Sequence, residues 1–293
     1  MSTIELTALP APQVLEDLDF EETYQGELAT FRQFMGDNWT AFLESDPVTK
    51  LLQVGAYRRL QNRARVNDAA KALLLAYAKG SDLDQLGGNV RLKRLVIQAE
   101  DLSVVPPVPA VLEEDDALRE RIQLVYEGLT TAGPRNSYIL HARNASGLVA
   151  DATAESPAPA VAVVTVLGLE GNGTASPELL ETVRLWLSDD DVRPVGDRLT
   201  VQGAEILPFT IDAVVHMASN GPETEATLAE CTRRLQAWVN PRRRLGVEVA
   251  RSAVDAQLHI GGVSRVDLNG WVDIRPSKSQ AAWCEGITVR RGS

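Results

Sequence analysis

The chain has 293 residues, of which 44% are apolar and 24% are charged, with a formal net charge of −11 and a pI near 4.9. This length and apolar content suffice for about two globular domains, each with its own buried core. The acidic balance disfavours nucleic acid as a partner, because neutralising phosphates requires clustered Lys and Arg side chains.

No export or membrane segment is predicted. The first twenty residues, MSTIELTALPAPQVLEDLDF, carry acidic side chains where a signal peptide has a basic start and an apolar run, and about 18 consecutive apolar residues occur nowhere. We therefore expect a protein that is not exported and does not contact a membrane. Cys231 and Cys284 lack CxxC or Cys/His spacing, which disfavours a zinc site. Free thiols are the simpler expectation, and a disulfide between them stays open.

The N-terminal segment predicts short helices that form an arm. Aromatic and aliphatic side chains fall at helical spacing, at Phe20, Tyr24, Leu28, Phe31 and Phe34. Such an apolar face needs a surface to pack against.

One long helix is predicted over residues 47–79. Asp46 is its N-cap, Pro47 takes the first helical position and Gly80 provides a left-handed C-cap. At 1.5 Å per residue the helix would be about 50 Å long, far more than one small domain needs.

The apolar positions of this helix follow one drifting stripe, which predicts that it bundles with other helices. The stripe residues that we expect to line the bundle are Leu52, Ala56, Leu60, Val66, Leu74 and Tyr77. Arg58, Arg59 and Arg63 crowd the middle of the helix. They predict ion pairs between subunits, although a solvated basic face is the simpler interpretation.

Residues 95–112 contain VVPPVPAVL, in which three prolines among valines predict an extended, polyproline-like connector. We place a domain boundary there, so that residues 1–112 form the helical arm and bundle region. A proline-rich recognition ligand is the alternative, but regular PxxP spacing is missing.

Helical and strand patterns alternate from residue 113 onward. Helices are predicted over 116–129, from 135, from 177 with Ser176 as N-cap, from 222 and over 247–258, and strands over 148–155, 160–168, 199–218, after Gly261 and from 287. The segments SYILHARNASGLVADA and AVDAQLHIGGVSRVDL both end a helix, pass through glycine and enter a strand, which suggests a duplicated unit. The predicted class is therefore α+β, with helices on one face of small, mostly antiparallel sheets in two domains, residues 113–205 and 206–293.

No residue pattern predicts a catalytic, metal or cofactor site. His141, His216 and His259 lie outside any HxxE or HExxH spacing, and a packing or capping role near a helix end is the simpler expectation for them. The glycine-rich GLEGNGTAS turn between a strand and a helix could hold an anion, but it lacks the P-loop Lys. The acidic residues Asp189–Asp191 and Asp197 lack EF-hand spacing. We expect a protein that is not an enzyme.

A resemblance to a known family follows the chain from end to end. The segments that carry it are LPAPQVLEDLDFE, ESDPVTKLLQVGAYRRLQNRARVNDAAKALLLAYAKGSDLDQLGGN, PPVPAVLEEDDALRERIQLVYEGLTTAGPRNSY, VLGLEGNGTAS and VRPVGDRLTVQGAEI. In this order they resemble the baseplate J family of contractile-tail phages and R-type pyocins, which are bacteriocin particles. No departure from the family pattern is evident.

The resemblance implies a structural wedge subunit of a baseplate, assembled in the bacterial cytoplasm. Its implied partners are a second copy of itself, a tail protein I type subunit in a helical core bundle, a sheath-initiator or lysozyme-like baseplate subunit, and neighbouring wedges in a sixfold ring. We expect connectors near residues 102–109 and 128–134 to let the C-terminal domains swing while the bundle holds during sheath contraction.

Two alternatives of other classes stay open. A tail-associated enzyme predicts a pocket that gathers His141 or His259 with carboxylates. A ligand-binding module predicts an anion at the glycine-rich turn. The sequence does not choose between a phage and a pyocin.

Overall fold

The computed structural model describes residues 6–10, 12–36, 43–129, 133–219, 221, 223–241 and 243–292. The chain divides into two compact units: the first holds the residues up to Lys93 together with Asp115–Ile122, and the second holds Arg94–Glu114 and the residues from Gln123 onward. Helices and small open sheets are both present, which confirms the α+β class. Our division into three domains at residues 112 and 205 stays a prediction.

Two paired helices begin the first unit. Helix α1 (Phe20–Met35) starts where the Asp19 carboxylate accepts from the backbone N–H of Glu22 at 2.9 Å. Helix α2 (Pro47–Ala72) starts where the Asp46 carboxylate accepts from the N–H of Val48 at 3.0 Å, as its sequence predicts. The two helices pack along each other.

Helix α2 ends at Ala72, so our prediction that it reaches residue 79 was wrong. The physical reason is Arg119, whose Nε and Nη2 atoms donate to the carbonyl oxygens of Leu75 and Ala78 at 2.8 and 2.7 Å. These carbonyls therefore do not need a continuing helix to be satisfied. Gly80 has the positive φ that we expected, 51°, but it begins the next helix instead of capping α2.

The first unit is completed by α3 (Gly80–Asn89) and α4 (Asp115–Leu124), of which Asp115–Ile122 belongs to this unit. Leu83 and Leu118 are fully buried and pack with Ala78 and Ile122 in a small core. The chain is closely packed at Gly87, where a Cβ would lie 3.1 Å from the Leu92 carbonyl oxygen.

Residues 94–114 form an antiparallel ribbon, and not the extended connector that the prolines predicted. Strands β1 (Val96–Gln98) and β2 (Val111–Leu112) pair at its base, and Asp101 pairs with Val108 further out. A connector would run on, whereas this ribbon returns to its starting point. The prolines lie in its turn and edges, where no ladder N–H is needed.

Helix α5 and the first sheet of the second unit follow a short 3₁₀ segment. The elements are α5 (Arg135–Ala145), β3 (Val149–Ala158), β4 (Val161–Gly168), α6 (Pro177–Leu187) and β5 (Arg198–Gly203). Strand β4 is central, antiparallel to β3 and parallel to β5. Its side chains are nearly all buried, and α5 and α6 close the core with Tyr138, Leu179, Val183 and Leu187. The predicted N-cap is confirmed, since Ser176 Oγ accepts from Leu179 N–H at 3.2 Å.

The second sheet, which we call the C-terminal sheet, has the same pattern of directions. The elements are β6 (Glu205–Met217), α7 (Thr224–Val239), α8 (Arg251–Leu258), β7 (Val263–Leu268) and β8 (Gln280–Arg291). Strand β6 is central, antiparallel to β7 and parallel to β8, while α7 and α8 cover one face. Both sheets are thus mixed, and not mostly antiparallel as expected.

Two predicted boundaries in the last domain differ from the structure. Helix α8 begins at Arg251 and not at 247, because Val249 is held extended by a bridge to Ile274. Strand β8 begins at Gln280 and not at 287, because it runs parallel to the whole of β6. The predicted helix start at residue 222 lies outside the described residues.

In the described ranges, no helix has the length and apolar content that crossing a bilayer requires.

Candidate interaction surfaces

The two sides of α2 have different surroundings. Thr49, Ala56 and Asn67 are buried on one side, in the pair with α1. Asn67 fixes the segment before α1: its Oδ1 accepts from Glu16 N–H at 3.0 Å and its Nδ2 donates to Glu16 O at 2.8 Å. The chain's own N-terminal arm therefore occupies one side of the helix.

The residues that we predicted to line the bundle do not share one environment. Ala56 is fully buried, Leu52 and Leu60 are half-buried, and Val66 is 53% exposed. Leu74 and Tyr77 lie beyond the end of α2, in the turn before α3. The stripe is thus not one continuous surface, and contact of these six residues with another subunit stays a prediction.

The three arginines in the middle of α2 also differ in their environments. Arg59 forms an ion pair with Glu27 of α1 at 2.9 Å, and Arg63 pairs with Glu16 at 2.8 Å. Both therefore have partners inside the chain. Arg58 is exposed and has no ion pair among the described residues. It remains available for a partner from outside.

An outer face of α2, formed by Leu51, Val54, Arg58 and Arg65, points away from this packing. At 3.6 residues per turn these four positions lie within about 60° of one another and opposite Thr49, Ala56 and Asn67. Leu51 is 71% exposed and Val54 is 48% exposed. Apolar side chains that are exposed on a regular helix mark a surface for protein contact.

The ribbon is a second exposed apolar surface. Every residue from 98 to 112 is exposed, including Leu102 at 72% and Val105 at 97%. Its base is ordered, because Glu113 is buried and its carboxylate accepts from Leu95 N–H at 3.1 Å. Residues 98–112 bury no side chain, and a two-stranded ribbon of this kind is marginally stable in water unless it packs against a further surface.

The glycine-rich turn, residues 168–176, binds an arginine of the same chain. Arg243 Nη1 donates to the Gly171 carbonyl oxygen at 2.6 Å and Nη2 donates to that of Leu169. Some of the backbone N–H groups of the turn are used internally: that of Gly168 donates to Gly173 O, and that of Thr174 to the Asn172 side chain. The turn thus offers carbonyl acceptors to a cation of the same chain, whereas a phosphate cradle binds its ligand through N–H donors.

The residues next to Arg243 join the two sheets. Leu245 N–H donates to Asp151 Oδ2 at 3.0 Å, and Arg244 Nη1 donates to Ala150 O at 3.0 Å. Burial raises the pKa of the Asp151 carboxyl, an effect that Arg244 and the Leu245 N–H oppose. Leu245 also packs with Leu167 and Ala281 in a small apolar cluster. The loop after α7 therefore fastens the two sheets of the second unit to each other.

The three histidines are scattered. Burial lowers the pKa of His141, whose half-buried ring hydrogen-bonds the backbone of Gly128, and His259 is the C-cap residue of α8. Neither side chain has a carboxylate partner among the described residues. The gathered pocket that an enzyme predicts is therefore missing from this part of the chain.

His216 has a partner that the sequence did not reveal. Its Nε2 lies 2.9 Å from Asp267 Oδ2 across β6 and β7, and the Asp267 carboxylate also accepts from Arg265. The other ring nitrogen faces the backbone of Gly292, where a Cβ would lie 2.4 Å from it. The pair links β6 to β7 on the exposed face of the C-terminal sheet.

The acidic residues do not form a cation site. Asp197 accepts from the Tyr138 hydroxyl at 2.7 Å, and this contact together with burial raises the pKa of Tyr138. Asp189–Asp191 are exposed. Within the ranges that the structure describes, no group of His, Cys, Asp or Glu is arranged to hold a metal ion.

The exposed apolar side chains of α2 and of the ribbon are of the kind found on subunits that bind other proteins. Comparison with known proteins specifies the class. The Baseplate J-like N-terminal domain matches residues 44–101 and the Baseplate J-like central domain matches residues 130–203. Baseplate protein J of Escherichia phage P2 is 43% identical over 299 residues, which cover 100% of this chain and 99% of that protein. The chain belongs to the baseplate J family.

A solved structure is also similar, the sixfold-symmetrised baseplate of the anti-feeding prophage. One of its chains is 16% identical with a TM-score of 0.40, over 64% of this chain and 44% of that chain. This chain therefore spans less than half of the neighbour's length.

Proposed function

We propose that the protein is a structural wedge subunit of a phage baseplate that connects other subunits through its helical unit and its C-terminal domain. Family membership and the full-length relative support the assignment of the chain as a structural protein of the baseplate. The exposed apolar surfaces support the proposed contacts with other subunits.

The outer face of α2 is the surface that we assign to the helical core bundle. It combines exposed Leu51 and Val54 with two arginines, in a chain whose net charge is −11. A partner helix with apolar and acidic side chains fits such a face. In this proposal the partners are a tail protein I type subunit and a second copy of the chain.

The ribbon, residues 98–112, is the second surface. It carries Glu100 and Asp101 and no Lys or Arg, and its exposed side chains are mostly apolar. A docked ribbon gains the burial that it lacks alone. A sheath-initiator or lysozyme-like subunit, or a neighbouring wedge of the sixfold ring, is the partner that we propose for it.

The proposal also concerns what the two units do when the sheath contracts. The two sheets of the second unit are fastened by Arg243, Arg244 and Leu245. We infer that they move together as one body when the sheath contracts, while the helical bundle holds. Structures of the particle before and after contraction test this: rearranged helix pairing with unchanged sheet contacts would contradict it.

The proposal is tested by co-purification with the tail protein I type subunit of the same particle. Leu51→Asp combined with Val54→Asp places charges on the outer face of α2, and we expect a loss of copurified partner of at least about tenfold. Leu185→Asp is the matched control, since Leu185 is 58% exposed on α6. Circular dichroism must show the same melting temperature for all three proteins. Undiminished co-purification of the double variant would refute the proposed face.

The enzyme and ligand-binding alternatives have less support. His141 and His259 have no carboxylate partners in the described residues, and the glycine-rich turn holds Arg243. The ligand-binding alternative is tested by titrating the purified protein with phosphate and following the backbone amide signals of residues 168–176. The same proposal holds for a phage or for an R-type pyocin.

A further inference from the structure

We propose that the free edge of β8 pairs antiparallel with β8 of a second copy, so that two C-terminal sheets become one six-stranded sheet across a two-fold axis. The inference rests on the proposed function, in which a second copy of the chain is one of the partners, and it names a strand through which two copies meet.

The chain covers only the first part of the β8 edge. Leu245 bridges to Ala281, Gly246 N–H donates to Gln280 O at 2.9 Å, and the Asn240 side chain bonds both backbone groups of Cys284 at 3.0 and 3.1 Å. Asn240 thus takes the place of a neighbouring strand. Proteins protect exposed strand edges in this way against unwanted pairing.

The second part of the edge lacks this protection. Gly292 N–H donates to Val215 O of β6 at 2.8 Å, and the backbone groups of a strand alternate in direction. The N–H and C=O groups of Ile287 and Val289 therefore point away from β6. In the described part of the second unit, no backbone or side-chain group pairs with them. An unprotected edge of this kind is a template for another strand.

The sequence of this edge matches itself in an antiparallel register centred on Thr288. Ile287 of one copy then lies opposite Val289 of the other, and these outward-pointing residues form the hydrogen-bonded pairs. Thr288 lies opposite itself in a non-hydrogen-bonded pair, with Cα atoms about 4.5 Å apart. β-branched residues at all three positions favour strand pairing.

The charges agree with this register. Arg290 of one copy lies opposite Gly286 of the other, so no like charges meet. Arg290 is also paired with Asp212 of its own chain at 2.6 Å. The pairing therefore leaves the ion pairs of the exposed sheet face intact.

A groove beside the edge fits the side chains of the added strand. It has a volume of about 380 Å³ and lies between α7 and β8; apolar Leu228, Ala229 and Val289 line it together with polar Glu225, Thr232, Arg233 and Gln236. Ile287 of the second copy, opposite Val289 on the same face of the sheet, would enter it. Apolar burial thus adds to the backbone hydrogen bonds.

A contact of about five residues on each strand is smaller than a standard interface of about 800 Å² per partner. We therefore expect weak pairing of the isolated protein, strengthened in a ring where several contacts act together. Covalent trapping suits such a contact better than measurement of a stable dimer.

The test traps the dimer with Thr288→Cys in the full chain under mild oxidation. Two cysteines in a non-hydrogen-bonded pair are within disulfide distance, so we expect cross-linking at least about tenfold faster than for a control. Thr200→Cys is the matched control, an exposed threonine on the edge strand β5. Buried Cys231 and Cys284 stay in place. Equal cross-linking rates for T288C and T200C would overturn the proposal.

Two further variants change the charge across the interface in opposite directions. In the T288C background, Gly286→Arg places like charges opposite Arg290 and is expected to slow cross-linking, whereas Gly286→Glu is expected to accelerate it, most of all at low salt. A Cβ at Gly286 meets only the Thr210 methyl group at 4.0 Å, so both variants should fold. Equal rates in the two variants would contradict the register.

Failure of this inference is distinguishable from failure of the proposed function. Co-purification through the outer face of α2 does not involve β8, so Gly286→Arg should leave it unchanged. Slow cross-linking with normal co-purification would refute the edge pairing alone. Lost co-purification in the α2 double variant, with normal cross-linking of T288C, would support the edge pairing and the α2 face together.

Discussion

The guanidinium carbon of Arg243 lies 4.9 Å from the centroid of the Trp283 ring, so one side chain connects β8 to the glycine-rich turn. Burial lowers the pKa of Arg243. The aromatic face and two backbone carbonyls beside the cation compensate for this desolvation. The contact explains how two sheets with separate cores form one unit.

Replacing Arg243 should loosen this junction. We expect Arg243→Ala to lower the free energy of unfolding by about 1–3 kcal/mol, because two charged hydrogen bonds and the ring contact are lost. Arg243→Lys should restore only part of it, since an ammonium group lacks the fork of donors. Urea unfolding followed by tryptophan fluorescence measures both. Arg275→Ala, at an exposed ion pair with Glu248, is the control and should change stability by less than about 0.5 kcal/mol. Equal effects of Arg243→Ala and the control would contradict this role.

Arg119 should determine where α2 ends. Its side chain is only 15% exposed, and Arg119→Ala leaves the carbonyls of Leu75 and Ala78 without their donor. We expect a loss of about 1.5–3 kcal/mol in the first unit. Hydrogen exchange of the backbone amides of residues 73–80 should become faster, by the factor that corresponds to the same loss of free energy. Arg233→Ala, at an exposed position on α7, is the matched control, and unchanged exchange in the Arg119 variant would rule the explanation out.

His141 should make the second unit sensitive to acid. Burial lowers its pKa below the ordinary 6.5, so between these two values the unfolded chain binds more protons than the folded one. The stability that neutral His141 provides is complete above pH 6.5 and is lost as the pH falls through the folded-state pKa. We expect His141→Gln to flatten this part of the pH–stability curve, measured by urea unfolding at pH 7.5, 6.5 and 5.5. His259→Gln, at an exposed site, controls for the loss of a histidine. A curve for His141→Gln parallel to that of the wild type would disprove this cause.

Asn240 should protect the first part of the β8 edge. Asn240→Ala removes both bonds to Cys284, and we expect a cost of about 1–2 kcal/mol. Asn240→Asp should also be harmful, because a carboxylate cannot donate to the Cys284 carbonyl oxygen. Thermal unfolding measures these changes against Gln236→Ala, an exposed site on the same helix. If all three variants melt together, the side chain does not act as a strand.

Local signals predicted the elements whose ends are fixed by neighbouring residues. Asp46 with Pro47 and Ser176 with Pro177 begin helices as their sequences indicate, because a cap needs only a side chain and the next few N–H groups. Period-two patterns of apolar residues predicted β3, β4 and β7, because these patterns also depend only on neighbouring residues. The early end of α2 was missed, because its cause, Arg119, lies more than forty residues away.

The candidate surfaces show the same division. The sequence placed Leu52, Ala56 and Leu60 on one stripe, but the stripe does not say which chain covers it. The structure buries Ala56 in the pair with α1 and leaves Leu51 and Val54 exposed. The prolines in 95–112 signalled an unusual backbone, yet a connector and a ribbon share that composition.

The sequence by itself determined the α+β class, most helix starts and the family, because these depend on local caps, on periodicity and on motifs in a fixed order. Only the tertiary structure decided that Arg243 fastens the two sheets, that Asn240 covers half of β8 and that the other half is open. Such contacts join residues that are tens of positions apart, and the burial that makes them matter exists only once the chain has folded.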